Sequence, residues 1–398
     1  MSAGLERAKQ HFLEGVRCFE AARFEEAEAQ FRQSLALLPG RVSTLTNLAA
    51  TCFELRRPQE ALELLAQALA AAPDDADAWS LRGAALRRRE RHGEALQAWN
   101  ELLRRQPRHA ATWFQRARTL QALNRPEEAL RDYERALDND PALAQAWSNR
   151  GALLKDLQRT GEAIECFRRA VALGADPELN GWFLASLTGA PAPAVAPAGY
   201  VERLFDDYAA DFEEHLVGVL HYRGHRALVE GLQQVARRRF ARALDLGCGT
   251  GLCAPLLQPL ADRIDGVDLS QRMLDQARSR GLYEELTRAD LVPHLQSTPR
   301  RYDLVVAADV FIYIGELDPV FAGVRRVMDE GVFCFSVEAL EDGRDFALQP
   351  SQRYAHSERH VRALAQRHGF EVAEVSREAI REDQREVVQG LMVWLRVT

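Results

Sequence analysis

A chain of 398 residues is too long for one ordinary hydrophobic core, so two domains are expected. With 47% hydrophobic and 27% charged residues the composition is globular, and a net charge of −7 argues against a general nucleic-acid binder. There is no apolar run of the ~18 residues that span a membrane, no basic-then-apolar leader, and no C-x-x-C pair among the six cysteines. The expectation is a cytoplasmic protein with neither disulfide framework nor metal site, meeting neither membrane nor nucleic acid.

The first half is periodic. Ala27, Ala61, Ala95, Ala129 and Ala163 are 34 residues apart, as are Pro39, Pro73, Pro107 and Pro141, and a glutamate precedes each of those alanines. Trp79, Trp113 and Trp147 mark the fourth position of their units; Gly15, Gly83 and Gly151 mark the eighth. This pattern resembles the tetratricopeptide (TPR) repeat, with units at about 8–41, 42–75, 76–109, 110–143 and 144–177. Small residues at positions 8 and 20 let two antiparallel helices approach, and Phe31, Leu65, Trp99, Tyr133 and Phe167 at position 24 fill the space between units. Proline at position 32 ends the second helix. A segment near 177–188, with Trp182 and Phe183, is expected to cap the stack and to close a first domain at 1–188.

The resemblance implies an α-solenoid whose concave wall takes a protein or peptide. Its first helices would present Phe12, Phe19, Asn47, Phe53, Arg87, Phe114, Gln115, Arg118, Asn149 and Lys155. Amides at the sixth position (Asn47, Gln115, Asn149) suit an extended peptide backbone, and equally suit a filler role. Residues 189–199 (GAPAPAVAPAG) are expected to form a short semi-rigid Pro/Ala linker.

Residues 200–240 follow a helical pattern through Phe205, Tyr208, Phe212, Leu216 and Leu220. Two readings are open: a helix packed on the sheet edge, or a lid over a ligand involving Tyr200, Tyr208, Phe212 and His215. Residues 241–398 then alternate strand and helix. Ala243–Leu246 is a strand running into Gly247, Gly249 and Gly251, with Asp245 two residues before the first glycine, and an apolar helical pattern begins at Leu252. Strand, glycine turn and helix make a nucleotide-binding corner, in which the backbone passes close to the ligand. The G-x-G-x-G spacing differs from the dinucleotide G-x-G-x-x-G, and a second strand ends at Asp268, 23 residues beyond Asp245.

Together these motifs resemble the class I S-adenosylmethionine (SAM) methyltransferases, and the whole chain resembles a bacterial TPR-containing methyltransferase group. The implied architecture is α + α/β: a TPR α-solenoid followed by a Rossmann-like seven-stranded sheet, with Phe370–Glu378 and Val387–Val397 as the antiparallel terminal pair. The resemblance implies cofactor contacts from Asp245, Gly247, Cys248, Gly249, Gly251, Asp268, Leu269, Met273, Asp290, Leu291 and Asp309, the last beside the methyl-bearing sulfur. Read as sequence alone, Ser270 is an N-cap, Met273 is a packing residue and Asp290 a loop acid.

Methyl transfer is an in-line displacement that asks for positioning and exclusion of water, and only a proton-bearing neutral acceptor needs a base. Candidates are Asp309, His356 and His215, with Tyr313, Glu338 and Tyr354 orienting. Residues 349–357 are expected to form a loop at the pocket mouth that brings Arg353, Tyr354 and His356 to it, while Ser357 caps the next helix. The leading reading is a SAM-dependent methyltransferase whose array recruits a protein, peptide or carrier-bound substrate. Alternatives are a scaffold that binds SAM without turnover, a small-molecule methyltransferase using its repeats to oligomerise, and an NAD-type oxidoreductase, which the glycine spacing disfavours.

Overall fold

The computed structural model describes residues 2–209, 211–220, 222–383 and 386–397; the side chains of residues 2, 3, 215, 217, 219, 382, 383 and 386 lie outside that description. The chain divides into two compact units, Met1–Pro177 and Glu178–Thr398.

The first unit is five helix pairs: α1 (Ser2–Glu20) with α2 (Phe24–Leu37), α3 (Val42–Glu54) with α4 (Pro58–Ala71), α5 (Ala76–Arg88) with α6 (His92–Arg105), α7 (Ala110–Ala122) with α8 (Pro126–Asn139), and α9 (Ala144–Asp156) with α10 (Thr160–Ala172). The repeat residues explain the pairing. Side chains at position 24 are at most 2% exposed, and three of them face a glycine at position 8. A Cβ on Gly15 would lie 2.6 Å from the Phe31 ring, one on Gly83 2.6 Å from Trp99, and one on Gly151 2.9 Å from Phe167. In each of those three pairs, then, the glycine is required by the ring opposite it. Trp79, Trp113 and Trp147 each donate their indole N–H to the carbonyl of the proline six residues before (2.8, 2.8 and 2.9 Å), tying each new unit to the turn that precedes it. Arg23, Arg57, Arg91, Arg125 and Arg159 stand just before each second helix and pair with the repeated glutamate three residues on. Two residues beyond each first helix the backbone takes a positive φ, again 34 apart: Ala22, Arg56, Glu90, Asn124 and Gln158. None of the five is glycine, and the sequence pattern gave no sign of them.

In the second unit come α11 (Pro177–Thr188), α12 (Ala198–Tyr208), a π-helical turn (Glu214–Val219), α13 (Gly224–Val235), β1 (Ala243–Leu246), α14 (Ala254–Leu257), β2 (Ile264–Asp268), α15 (Gln271–Ser279), β3 (Glu285–Arg288), α16 (Leu291–Ser297), β4 (Leu304–Ala307), α17 (Asp318–Val327), β5 (Gly331–Ala339), β6 (Phe346–Leu348), β7 (Tyr354–His356), α18 (Glu358–Arg367), β8 (Glu371–Asp383) and β9 (Glu386–Val397). Beyond its first residue, the helix expected to cap the array belongs to this unit, where Trp182 and Phe183 pack on Tyr200 with ring centroids 4.8 and 5.6 Å apart.

Strands β3-β2-β1-β4-β5 run parallel in that order; β9 lies antiparallel on β5, and β8 antiparallel on β9. These seven make the expected sheet. The short β6–β7 hairpin is an addition, and β7 pairs with residues 338–339 of β5 just beyond the stretch paired with β4. Strand alternation sends Val305 and Ala307 into one core and Leu304 and Val306 into the other, so helices cover both faces. The first helix after the glycine turn is only four residues long, shorter than its apolar pattern suggested, and it opens with Pro255 in its first turn.

The Pro/Ala stretch is corrected from spacer to docked segment. Val195 forms an isolated antiparallel bridge with Ile314, Ala196 N–H donates to Tyr313 O (2.9 Å), and Tyr354 Oη donates to Pro193 O (2.8 Å). The stretch uses the carbonyls of Pro193 and Ala194 as acceptors and the N–H of Ala196 as a donor. Among the described residues no helix is long and apolar enough to cross a membrane, and all six cysteines are buried thiols.

Candidate active site

The carboxyl ends of β1 to β4 open on a cavity of about 630 Å³ in the second unit. It sits where the strand order reverses, between β1 and β4, the place at which open α/β sheets bind ligands. Gly247, Gly249 and Gly251 all have positive φ, which glycine alone adopts without cost. A Cβ on Gly247 would clash with Val310 at 2.6 Å. One on Gly249 would meet only a Phe212 ring carbon at 4.0 Å, so the missing side chain there leaves room in the cavity itself.

Acids stand at three successive strand ends. Asp245 on β1 is 1% exposed and accepts a hydrogen bond from Tyr283 Oη at 2.7 Å; burial pushes its carboxyl up to about 7. Asp268, ending β2, is fixed by two backbone donors, Gly249 N–H at 2.8 Å and Ser270 N–H at 2.9 Å, while burial raises its carboxyl above the ordinary range. Carboxylate oxygens accept more than one hydrogen bond, so both remain competent toward a ligand hydroxyl. Asp290 beyond β3 lines the cavity and also caps α16, accepting from Val292 N–H at 3.2 Å.

The opposite half is built from β4, β5, β8 and the segment before β7. Asp309 follows β4 at φ +60, its N–H donated to Ser336 Oγ at 2.8 Å. Its two carboxylate oxygens accept from Arg381 Nη1 at 2.8 and 3.1 Å, and Arg381 Nη2 donates to Glu338. The Arg381 side chain is fully buried; nearby carboxylates outweigh burial and hold its guanidinium charged. Tyr313 and Arg353 line this half as a hydrogen-bonded pair. Over the top lie aromatic rings from α12 and the turn after it: Phe205 packs on Phe212 and Tyr313 (6.0 and 5.5 Å), and Tyr208 packs on Phe212 (5.5 Å). The lining is thus apolar above and acidic below.

Residues 243–331 match a methyltransferase domain family, and residues 19–85 and 114–178 match two tetratricopeptide repeat families. The chain is a tetratricopeptide-repeat protein that carries a class I methyltransferase domain. It is 39% identical over 124 residues to a malonyl-[acyl-carrier protein] O-methyltransferase of Geobacter sulfurreducens, covering 29% of this chain and 44% of that one. It is also 39% identical over 90 residues to the human methyltransferase-like protein 27, covering 22% and 36%. The chain spans less than half the length of the curated relatives it matches. Among solved structures, the SAH-bound magnesium protoporphyrin IX methyltransferase of Synechocystis PCC 6803 aligns with a TM-score of 0.41 at 17% identity, over 50% of this chain and 99% of that one.

Of the residues singled out in sequence, the methyltransferase domain brings Asp245, Gly247, Cys248, Gly249, Asp268, Leu269, Asp290, Leu291, Asp309, Tyr208, Phe212, Tyr313 and Arg353 to the cavity wall. Six others are not on it. Gly251 packs beneath Arg280 and Tyr283, and Met273 is fully buried on the inner side of α15. Tyr200 packs on α11 instead. Glu338 is buried behind the wall, holding Arg381. Tyr354 and His356 are corrected most: their loop is the β6–β7 hairpin, both side chains are fully buried, and His356 Nε2 meets Gly315 O at 3.0 Å. Burial pushes its imidazole down to about 4. The His215 side chain lies outside the described residues.

Four residues on or beneath the wall escaped the sequence reading. Tyr283, which holds Asp245, sits in a connection with no motif. Tyr222 and His225 stack at 5.3 Å on the wall, and among the described residues the buried Tyr222 hydroxyl, His225 Nδ1 and Thr250 Oγ1 have no hydrogen-bond partner. Arg381 did carry a signal, a charge in an otherwise strand-like run, but β8 was expected to end at Glu378. The β-bulge between Ala379 and Arg381 is what re-aims that side chain inward.

The residues present fit a nucleoside-sized cofactor. Unpartnered buried hydroxyl and imidazole groups, open space over Gly249 and three acids at adjacent strand ends are polar features an empty apolar cavity would not retain.

Proposed function

We propose that this protein is a SAM-dependent methyltransferase acting on an oxygen acceptor, with the TPR array recruiting the protein or peptide that bears it. The observation that carries the reading is the row of acids at the ends of β1, β2 and β3 around a glycine turn that leaves room above Gly249. On this reading Asp268 holds the ribose, Asp290 the adenine edge, and Asp245 faces the positively charged end of the cofactor. Bound there, SAM supplies a methyl group already activated by a positive sulfur.

The chain's own residues position and dry the reaction. Phe205, Tyr208 and Phe212 exclude water, and Arg353 with Tyr313 orients the acceptor. Asp309 is a poor base because Arg381 already occupies both of its carboxylate oxygens. His225, with its pKa pushed down to about 4 by burial, is a weak one. This favours an acceptor that is already anionic, for which Arg353 is the complementary charge. A carboxylate fits, and the Geobacter relative is by name an O-methyltransferase of a carrier-bound malonyl group.

Two measurements test the reading. Calorimetric titration of SAM, S-adenosylhomocysteine and NAD into the wild type and Asp268→Ala is expected to give SAM and product binding that the variant loses. Binding of NAD alone would refute it. Radiolabelled methyl transfer into a lysate lacking this protein is expected to need residues 1–177 for full incorporation, and label that survives base treatment would argue against a carboxyl ester.

A further inference from the structure

We propose that the concave face of the repeat array carries an anion-recognition site formed by Arg87, Arg118 and Asn149, and that its occupant is an acidic segment of the recruited protein, held through aspartate or glutamate side chains. The three residues come from the first helices of consecutive units (α5, α7 and α9) at a spacing of 31, one repeat less about one helical turn. They therefore lie on one diagonal across three helices.

What sets the site apart is a missing partner. Along the array Arg32, Arg57, Arg105, Arg116 and Arg125 are each paired with a carboxylate. Arg87 is half-buried, its Nε is shielded from solvent and has no hydrogen-bond partner among the described residues, and it feels the like charge of Arg118. Arg118 stacks over the Phe114 ring at 5.7 Å. Beneath them the buried Tyr133 hydroxyl donates to Gln121 Oε1 and is also hydrogen-bonded to Asn149, so the floor is a fixed polar network. Two like-charged guanidiniums within electrostatic reach, one of them half-buried, repel each other, and an anion between them would relieve that repulsion. Guanidinium forks match carboxylates in two-bond geometry, and three helices offer these groups along an open diagonal. That layout suits an extended chain bearing acidic side chains; a compact dianion would ask for a closed cage of donors. Asn47, also expected on this wall, is turned back on its own helix, donating to Ser43 O at 2.8 Å.

The inference rests on reading the array as a recruiting surface and does not involve methyl transfer, so binding alone tests it. Fluorescence anisotropy with the full chain would compare a labelled, C-terminally amidated twelve-residue Glu-Ala repeat, its Gln-Ala counterpart, and the Gln-Ala peptide with a free carboxyl end. The Glu peptide is expected to bind at least about tenfold more tightly, to weaken with salt, and to lose roughly tenfold or more with Arg87→Gln or Arg118→Gln. Arg169→Gln, at an exposed pair on α10, is expected to change nothing. Arg118→Lys keeps the charge without the fork and should fall between, which separates recognition from a folding defect. Equal binding of Glu and Gln peptides, or tight binding retained by the double arginine variant, overturns the site while leaving recruitment standing. Preference for the free carboxyl end, or displacement by low inorganic phosphate, overturns the assigned occupant.

Discussion

Replacing Arg381 by methionine is expected to loosen the sheet beneath the cavity. The guanidinium is fully buried, and its two partners, Asp309 and Glu338, keep only 15% and 9% of their side chains exposed. Methionine fills similar space but leaves two carboxylates buried side by side, and breaking a buried pair from one side costs about 3–5 kcal/mol. At about 1.4 kcal/mol per decade, amide hydrogens of β5, β8 and β9 should exchange roughly a hundred- to several-thousand-fold faster. Hydrogen exchange followed by mass spectrometry reads those segments separately from the repeat array. The pH dependence has a definite sign. Glu338 already sits above the ordinary glutamate value of 4.5, mainly because it is buried, and losing Arg381 raises it further. An acid raised in the folded state stabilises the fold below its unfolded pKa and loses that contribution as pH rises through the folded one. The variant's deficit should therefore shrink as pH falls from neutrality toward 4.5, and Glu338→Gln in the same chain should recover about half of it at pH 7. Unchanged protection in β5 and β9, or a deficit that grows on acidification, would refute the reasoning.

Four further outcomes are expected. Affinity for SAM should rise with pH up to about 7 and level off above it, because Asp245, raised to about 7 by burial, faces a cation only when ionised; calorimetry between pH 5.5 and 8.5 checks this, and a flat profile contradicts it. Gly249→Ala should keep the fold, as seen by circular dichroism, yet bind SAM at least about tenfold more weakly, since its Cβ enters the cavity and its φ of +54 strains any other residue by ~1–2 kcal/mol. In the array, Gly83→Ala should destabilise by about 1–3 kcal/mol in urea unfolding, as its Cβ would lie 2.6 Å from Trp99. Glu90→Gly should instead stabilise by about 0.5–1 kcal/mol by relieving a positive φ at a helix end.

The repeat array was readable in chain order because each of its contacts recurs every 34 residues: Gly83 against Trp99 is the same event as Gly15 against Phe31. The acids of the cavity were readable because each ends a strand at a fixed distance from a glycine turn. Tyr354 and His356 were misplaced for the opposite reason. As a nine-residue polar stretch they look like a loop, and the pairing of β7 with residues 338–339 that buries them is a long-range event. Arg353, one residue before that strand, remained on the wall.

By itself the sequence determined the two architectures, the glycine turn and the order of the acids, since these depend on local periodicity and on spacing along the chain. Tertiary structure alone decided which charges meet. Arg381 reaches Asp309 from 72 positions away and turns a candidate base into half of an ion pair, while Arg87 comes within reach of the like charge of Arg118. Electrostatic energy depends on distance in space and on burial, and neither quantity is written in separation along the chain.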